Sequence, residues 1–155
     1  MAFQSIYGGD RFGQRSGSNV PKKFIVANYA APAVGDLAKP DITAGTTPLY
    51  NNAILKCLTN DVPAYLIESI NSSNGTLTCW LVPRCIQLVF QYSGSPTVNV
   101  SQIQVDAATT PTIRIGGFTR TVVKPVASPN GLGLIVAVDE PATGLCVVEF
   151  RGGTS

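Results

Sequence analysis

From Val62 onward, β-branched and aromatic residues come in short runs, each closed by a cluster of Gly, Pro, Asn, Asp or Ser. Such runs suit strands, because a pleated chain carries branched side chains well and the turn residues supply the backbone angles that reversals need. Strand-like runs at roughly ten-residue spacing leave no room for the long crossover helices of βαβ units, and predict an all-β antiparallel sandwich or small barrel.

Four hairpins are predicted. Ala64–Ile70 and Thr76–Val82 flank NSSNG, whose Asn74-Gly75 supplies the positive φ of a tight loop. Cys85–Tyr92 and Thr97–Val105 flank SGSP, and the later run alternates Val98, Val100, Ile103, Val105 with a slip at Ser101 that suggests a bulge. Thr112–Ile115 and Phe118–Val123 meet at Gly116-Gly117, and Gly133–Asp139 and Leu145–Phe150 meet at EPATG.

Before these, residues 24–28 (FIVAN) read as a strand, and Thr47-Pro48 ahead of LYNNAILKCL reads as a capped start of one short helix, with Leu49, Ala53, Ile54, Cys57 and Leu58 on one face. The same run also reads as a strand and a turn. Residues 1–23 are Gly- and Ser-rich and carry Arg11, Arg15, Lys22 and Lys23 against Asp10. A local +3 in a chain of net +2 makes this the basic part, and Phe3, Tyr7 and Phe12 alternate with its arginines. Aromatic and Arg anchors between glycines suit an arm that folds onto a partner protein, and they equally suit a loose tail. The organisation expected is therefore an arm over 1–23 and a single β domain over 24–155.

Histidine is absent, so Ser/His/Asp and Cys/His nucleophile systems cannot be assembled. Asp139 and Glu140 are neighbours and would point apart on an extended chain, while Asp61, Glu68, Asp106 and Glu149 have no spacing that brings two carboxylates to one cleft. Gly131-Leu-Gly133 lacks the third glycine and the following helix of a dinucleotide loop. Cys57, Cys79, Cys85 and Cys146 form no CxxC pair and each lies in an apolar run, as buried small hydrophobes do. An oxidising exterior would permit a disulfide. Arg114 and Arg120 beside Phe118 are a fragment of a single-strand nucleic-acid pattern, and a solvated strand edge is the simpler reading. The NxS/T sites at Asn71, Asn74 and Asn99 would matter only outside the cell. No catalytic residue, no cofactor or metal site, no nucleic-acid or small-molecule partner and no membrane span is expected. No secretory signal is recognised at the N-terminus either, so synthesis in a cytoplasm is expected. With 13% charged residues against about 25% in an ordinary domain, part of the surface is expected to be covered by other protein.

The last hairpin, GLGLIVAVDEPATGLCVVEFRGG, and the stretch ANYAAPAVGDLAKPDITAGTTPLY resemble the C-terminal and extended N-terminal parts of tailed-phage head decoration (cement) proteins. The resemblance implies a β-tulip or jelly-roll-like domain, a homotrimer on the exterior of a virion capsid, and the major capsid protein as partner. On that reading the arm residues Phe3, Tyr7, Arg11, Phe12, Arg15, Lys22 and Lys23 grip the shell. This arm is more basic than the family leads one to expect, and four cysteines are unusual for it. The alternative is a β-sandwich carbohydrate- or receptor-binding module of a tail fibre or surface protein, with Tyr65, Trp80 and Tyr92 exposed for stacking. In apolar strands, core packing of Tyr65 and Trp80 is the favoured expectation.

Overall fold

The computed structural model describes residues 22–24, 26, 27, 29–41, 53–85, 87–138 and 144–150. In chain order the strands are β1 (Lys22–Phe24), β2 (Val26–Ala27), β3 (Leu37–Pro40), β4 (Ala53–Lys56), β5 (Tyr65–Ile70), β6 (Leu77–Leu81), β7 (Gln87–Gln91), β8 (Gln102–Val105), β9 (Arg114–Ile115), β10 (Phe118–Thr119), β11 (Val123–Val126), β12 (Leu134–Val138) and β13 (Leu145–Glu149). A 3-10 turn, Val82–Arg84, with Pro83 in its first turn, joins β6 to β7. The protein is all-β.

The first half is a six-strand sheet in the order β1-β6-β5-β3-β4-β2. β1 and β2 are separated by one residue in sequence yet stand at opposite ends of that order, so the segment pairs with β6 on one side and β4 on the other and closes the sheet into a small barrel. The predicted strand over 24–28 is thus one closing segment that begins at Lys22 and divides its pairing between two neighbours. The β2–β4 pair is parallel, against the antiparallel expectation. Ala38, Ile54, Ile67, Leu77 and Cys79 fill the interior.

The second half combines the three-strand sheet β12-β13-β7 with the ribbons β11-β8 and β10-β9. Bridges at Ile103–Leu132 and Tyr92–Val123 stitch the ribbon β11-β8 to the ends of the three-strand sheet. β7 and β13 are covered on both faces. Leu88, Phe90, Cys146 and Val148 point to the main core, whereas Val89, Leu145 and Val147 pack against Ile115 under the β9–β10 hairpin. This is why LCVVEF shows no alternation. Complete burial of such side chains is worth about 1.5–3 kcal/mol each. The main core also takes Leu37, Cys57, Leu66 and Val82 from the first half, so the two halves share one interior.

The first, third and fourth predicted hairpins form. β5 pairs with β6 around Gly75 at φ +73°, with Glu68 as a bulge residue between paired Ile67 and Ser69. β9 pairs with β10 across Gly116 and Gly117, both at positive φ. That hairpin is only two residues deep, because Val123 already belongs to β11 and pairs with β8. β12 pairs with β13, with Val136 as the extra residue.

The second predicted hairpin is wrong. β7 pairs with β13 and β8 with β11, and neither strand touches the other in register. Val98 and Val100 lie not in a strand but in an exposed turn whose Thr97 amide donates to Ser101 Oγ at 2.9 Å. The slip at Ser101 is therefore the start of β8 and not a bulge. The helix reading also fails within the described residues: Ala53–Lys56 is strand β4, and Leu58, assigned to the buried helical face, is 65% exposed. Here sheet closure by β2 outweighs the local capping signal at Thr47-Pro48, a signal that lies outside the described residues.

Candidate functional site

The residues singled out by the sequence do not converge. Phe3, Tyr7, Arg11, Phe12 and Arg15 lie outside the described residues, as do Asp139 and Glu140. Lys22 and Lys23 are in β1, with backbones in register with Cys79 and Thr78. Trp80 and Tyr92 are half-buried against the main core, and Tyr65 packs on the interior of the first barrel. Trp80 Nε1 is buried without a hydrogen-bond partner. Three aromatic residues packed this way do not present a stacking platform.

The carboxylates act locally. Asp106 accepts hydrogen bonds from Ser93 Oγ and Thr109 Oγ1, both at 2.7 Å, and from the Ala108 amide at 3.1 Å. The bonds from Ser93 and then Thr109 hold its carboxyl below the ordinary carboxylate range. Burial works against ionisation of Asp61, but hydrogen bonds from Lys39 Nζ and the Leu58 amide, both 2.7 Å, outweigh it and keep that carboxyl low too. Glu149 accepts from Gln87 Nε2 at 3.3 Å. One oxygen of Glu68 is buried without a hydrogen bond.

A small cleft of about 100 Å³, partly open to solvent, lies between the loop over 33–36 and the segment 119–122, with Asp36, Lys56, Asp106, Thr109 and Arg120 on its walls. Asp36 accepts from Tyr29 Oη and the Ala33 amide, both at 3.0 Å, and Lys56 Nζ stands 3.9 Å away. Burial, followed by the charge of Asp36, pushes the Tyr29 phenol well up from its ordinary value. The two carboxylates in this cleft are spent on shaping its own loops. The loop itself is fixed by close approach: Gly35 is at φ +97°, and a Cβ there would fall 2.1 Å from the Thr119 carbonyl oxygen. The Leu37 amide donates to Thr121 Oγ1 at 3.0 Å, so the two halves are bonded here.

Arg120 corrects the expectation of a solvated strand edge. Arg114 is exposed, its Nη1 donating to the Gly117 carbonyl at 3.0 Å, but Arg120 is 1% exposed and is the largest fully buried side chain. Its Nη1 donates to the Val89 carbonyl at 2.7 Å. It meets β7 on a carbonyl, while β13 pairs along that strand in register. Gln91 serves the same strand end, its Oε1 accepting the Thr112 and Ile113 amides at 2.9 and 3.0 Å. An open strand edge invites pairing with another chain, and these side chains occupy it. The sequence offers no signal for this beyond an arginine flanked by threonines.

All four cysteines are buried free thiols. Burial raises Cys57, Cys79 and Cys146 to about 12, so none of these is a nucleophile near neutrality. Among the described residues no three His, Cys, Asp or Glu side chains are arranged to hold a metal ion, and no helix is long and apolar enough to cross a membrane.

Large apolar side chains do face solvent at the two ends of β8. Val98 and Val100 sit in the turn before it, and Val100 is 60% exposed. Leu58 and Val62 sit in the loop that the Val105 backbone holds at the far end, through Asn60 N–H to Val105 O and Val105 N–H to Asp61 O, both 2.9 Å. Lys124 Nζ donates to Asn60 Oδ1 and ties the same loop to β11. No family model matches the chain, and no curated protein or solved structure matches it either.

Proposed function

We propose that this chain is a structural protein of a virion, a decoration protein that binds the outer surface of a phage head and stabilises contacts between major capsid subunits. The observation that carries the reading is the exposure of Leu58, Val62, Val98 and Val100 on firmly tied loops, in a domain whose first sheet closes on itself and whose β7 edge is occupied. Apolar side chains held rigidly in water cost little to order on binding, and they suit the core of a protein contact. Occupied edges favour assembly through such side chains over strand addition. The resemblance of the Gly133–Gly152 hairpin and the Ala/Pro/Gly-rich stretch to decoration proteins directs the reading to a capsid shell. The arm residues Phe3, Tyr7, Arg11, Phe12 and Arg15, together with Lys22 and Lys23 at the start of β1, add the gripping element, and a homotrimer is the expected assembly.

Purified protein mixed with undecorated heads tests this. Binding, with a higher temperature of head rupture, is expected, and a protein that leaves the heads unchanged refutes the reading. Deleting residues 1–21, which keeps β1, is expected to weaken binding. Unchanged binding would overturn the arm while leaving the loops as the contact, and Val100→Asp would then separate the two.

A further inference from the structure

Two Asn-Gly sequences occur in the chain, Asn74-Gly75 and Asn130-Gly131, and the fold places them in opposite circumstances. Both are chemically prone to one reaction. The backbone nitrogen of the glycine attacks Cγ of the asparagine, a new N–Cγ bond forms, and the side-chain nitrogen leaves as ammonia with the proton from the glycine amide. Water then opens the five-membered imide at either carbonyl, giving Asp or the β-linked isoAsp, with no oxidant or reductant involved. Glycine favours ring closure because no Cβ crowds the attacking nitrogen.

At Asn74 the side chain is folded toward the following backbone. Its Oδ1 accepts the Thr76 amide at 3.1 Å and Thr76 Oγ1 at 2.8 Å, which turns the side chain over the Gly75 peptide and draws electron density off the carbonyl. Gly75 has nothing within 4 Å of its Cβ position, and the turn is exposed from Asn71 to Gly75. The bond that must open is Gly75 N–H to Asn71 O, 2.7 Å, in a solvent-facing turn where opening is cheap. Asn130 is exposed as well, but the glycine that follows it is closely packed. The Gly131 amide donates to Gln102 Oε1 at 3.1 Å, and a Cβ at Gly131 would meet Val126 Cγ2 at 2.6 Å and the Ile103 carbonyl oxygen at 2.7 Å. Opening there must separate the turn from β8. Asn71 shares the side-chain turn, with Oδ1 accepting the Ser73 amide at 2.9 Å, but Ser72 follows it and crowds the attack.

We infer that Asn74 is a site of spontaneous deamidation and isomerisation in the folded protein, and that Asn130, with the same sequence signal, is protected. The product adds a negative charge to the β5–β6 turn. As isoAsp it lengthens the backbone by one methylene inside the Asn71–Thr76 bonded loop, which loosens the strand that also receives β1.

The test is incubation of the folded protein at mildly alkaline pH, followed by peptide mass spectrometry and enzymatic methyl labelling of isoAsp. Asn74 is expected to convert to an Asp and isoAsp mixture, with Asn130 slower by roughly tenfold or more because its opening breaks packed contacts. Asn74→Gln, whose ring closure would need six members, is expected to remove the labelling while keeping the melting temperature. Conversion at Asn130 equal to or faster than at Asn74 overturns the inference. So does an unchanged Asn74 under conditions where a free peptide over 69–78 converts completely.

Discussion

The two halves of the molecule solve the same problem, hiding the edges of short strands, by different means. The first barrel closes through its backbone, with β1 and β2 paired at opposite ends of the strand order, and Ala38, Ile54, Ile67, Leu77 and Cys79 are buried inside it with Tyr29, Tyr65 and Ile70 packed against them. The second half uses side chains. Arg120 and Gln91 occupy the β7 edge, Pro125 in β11 contributes no N–H, and both faces of β7 and β13 are buried. Backbone closure leaves an apolar interior of Ala, Ile, Leu and Cys, whereas side-chain closure brings a guanidinium into the core. Gly35 and Thr121 mark the seam where the two solutions meet.

A shared core requires the two halves to unfold together. Phe90→Ala is expected to cost about 3–5 kcal/mol and to lower a single cooperative transition, since the shared core spans both halves. Trp80 fluorescence and far-UV circular dichroism should report the same midpoint in denaturant. Two separated transitions would mean that the shared core does not couple them. Gly35→Ala places a Cβ against the Thr119 carbonyl at a positive φ, and a loss of about 3 kcal/mol is expected from the combined clash and backbone strain. Arg120→Met keeps the apolar volume but leaves the Val89 carbonyl without its donor. A loss of about 1–3 kcal/mol is expected, or roughly 2–4 °C of Tm per kcal/mol for a chain of this size. An unchanged Tm would show that Arg120 does not seal that edge.

Acid acts on both halves through their carboxylates. Asp61, bonded to Lys39 of β3, and Asp106, at the end of β8, both have carboxyls held low in the fold. A group whose folded pKa is depressed stabilises the fold above its unfolded value, near 3.9 for Asp, and loses that contribution as pH falls through the folded value. Tm should therefore be flat near neutrality and fall below about pH 4, the unfolded value. Asp61→Asn is expected to lower the neutral Tm slightly and to flatten the acid slope. The smallest effect is expected at the surface. Leu58→Ser and Val100→Ser should change stability by less than about 0.5 kcal/mol, yet weaken binding to heads, separating contact from folding.

Much of this was legible in advance wherever partners are close in sequence. Asn74-Gly75, Gly116-Gly117 and the Gly144 turn each dictate a reversal, and the strands on either side pair across them. The SGSP segment carries the same kind of turn residues, but β7 satisfies its backbone with β13, which lies past β12, and β8 with β11. No local angle distinguishes a loop that closes a hairpin from one that sends the chain to another sheet. The candidate site was the least legible part, since Val98 and Val100 fit a buried alternating strand by sequence and are exposed only because Ser101 ends their turn.

The all-β class, the three local hairpins, the burial of Cys57, Cys79, Cys85 and Cys146 and the lack of a histidine-based nucleophile follow from residue type and short-range backbone preference. The closure of the first barrel by β1 and β2, the burial of Arg120 against Val89, and the exposure of Leu58, Val62, Val98 and Val100 come from contacts between distant parts of the chain. Those outcomes depend on which distant strand reaches a given edge first and pairs best. That is a competition among long-range contacts, which residue type does not encode.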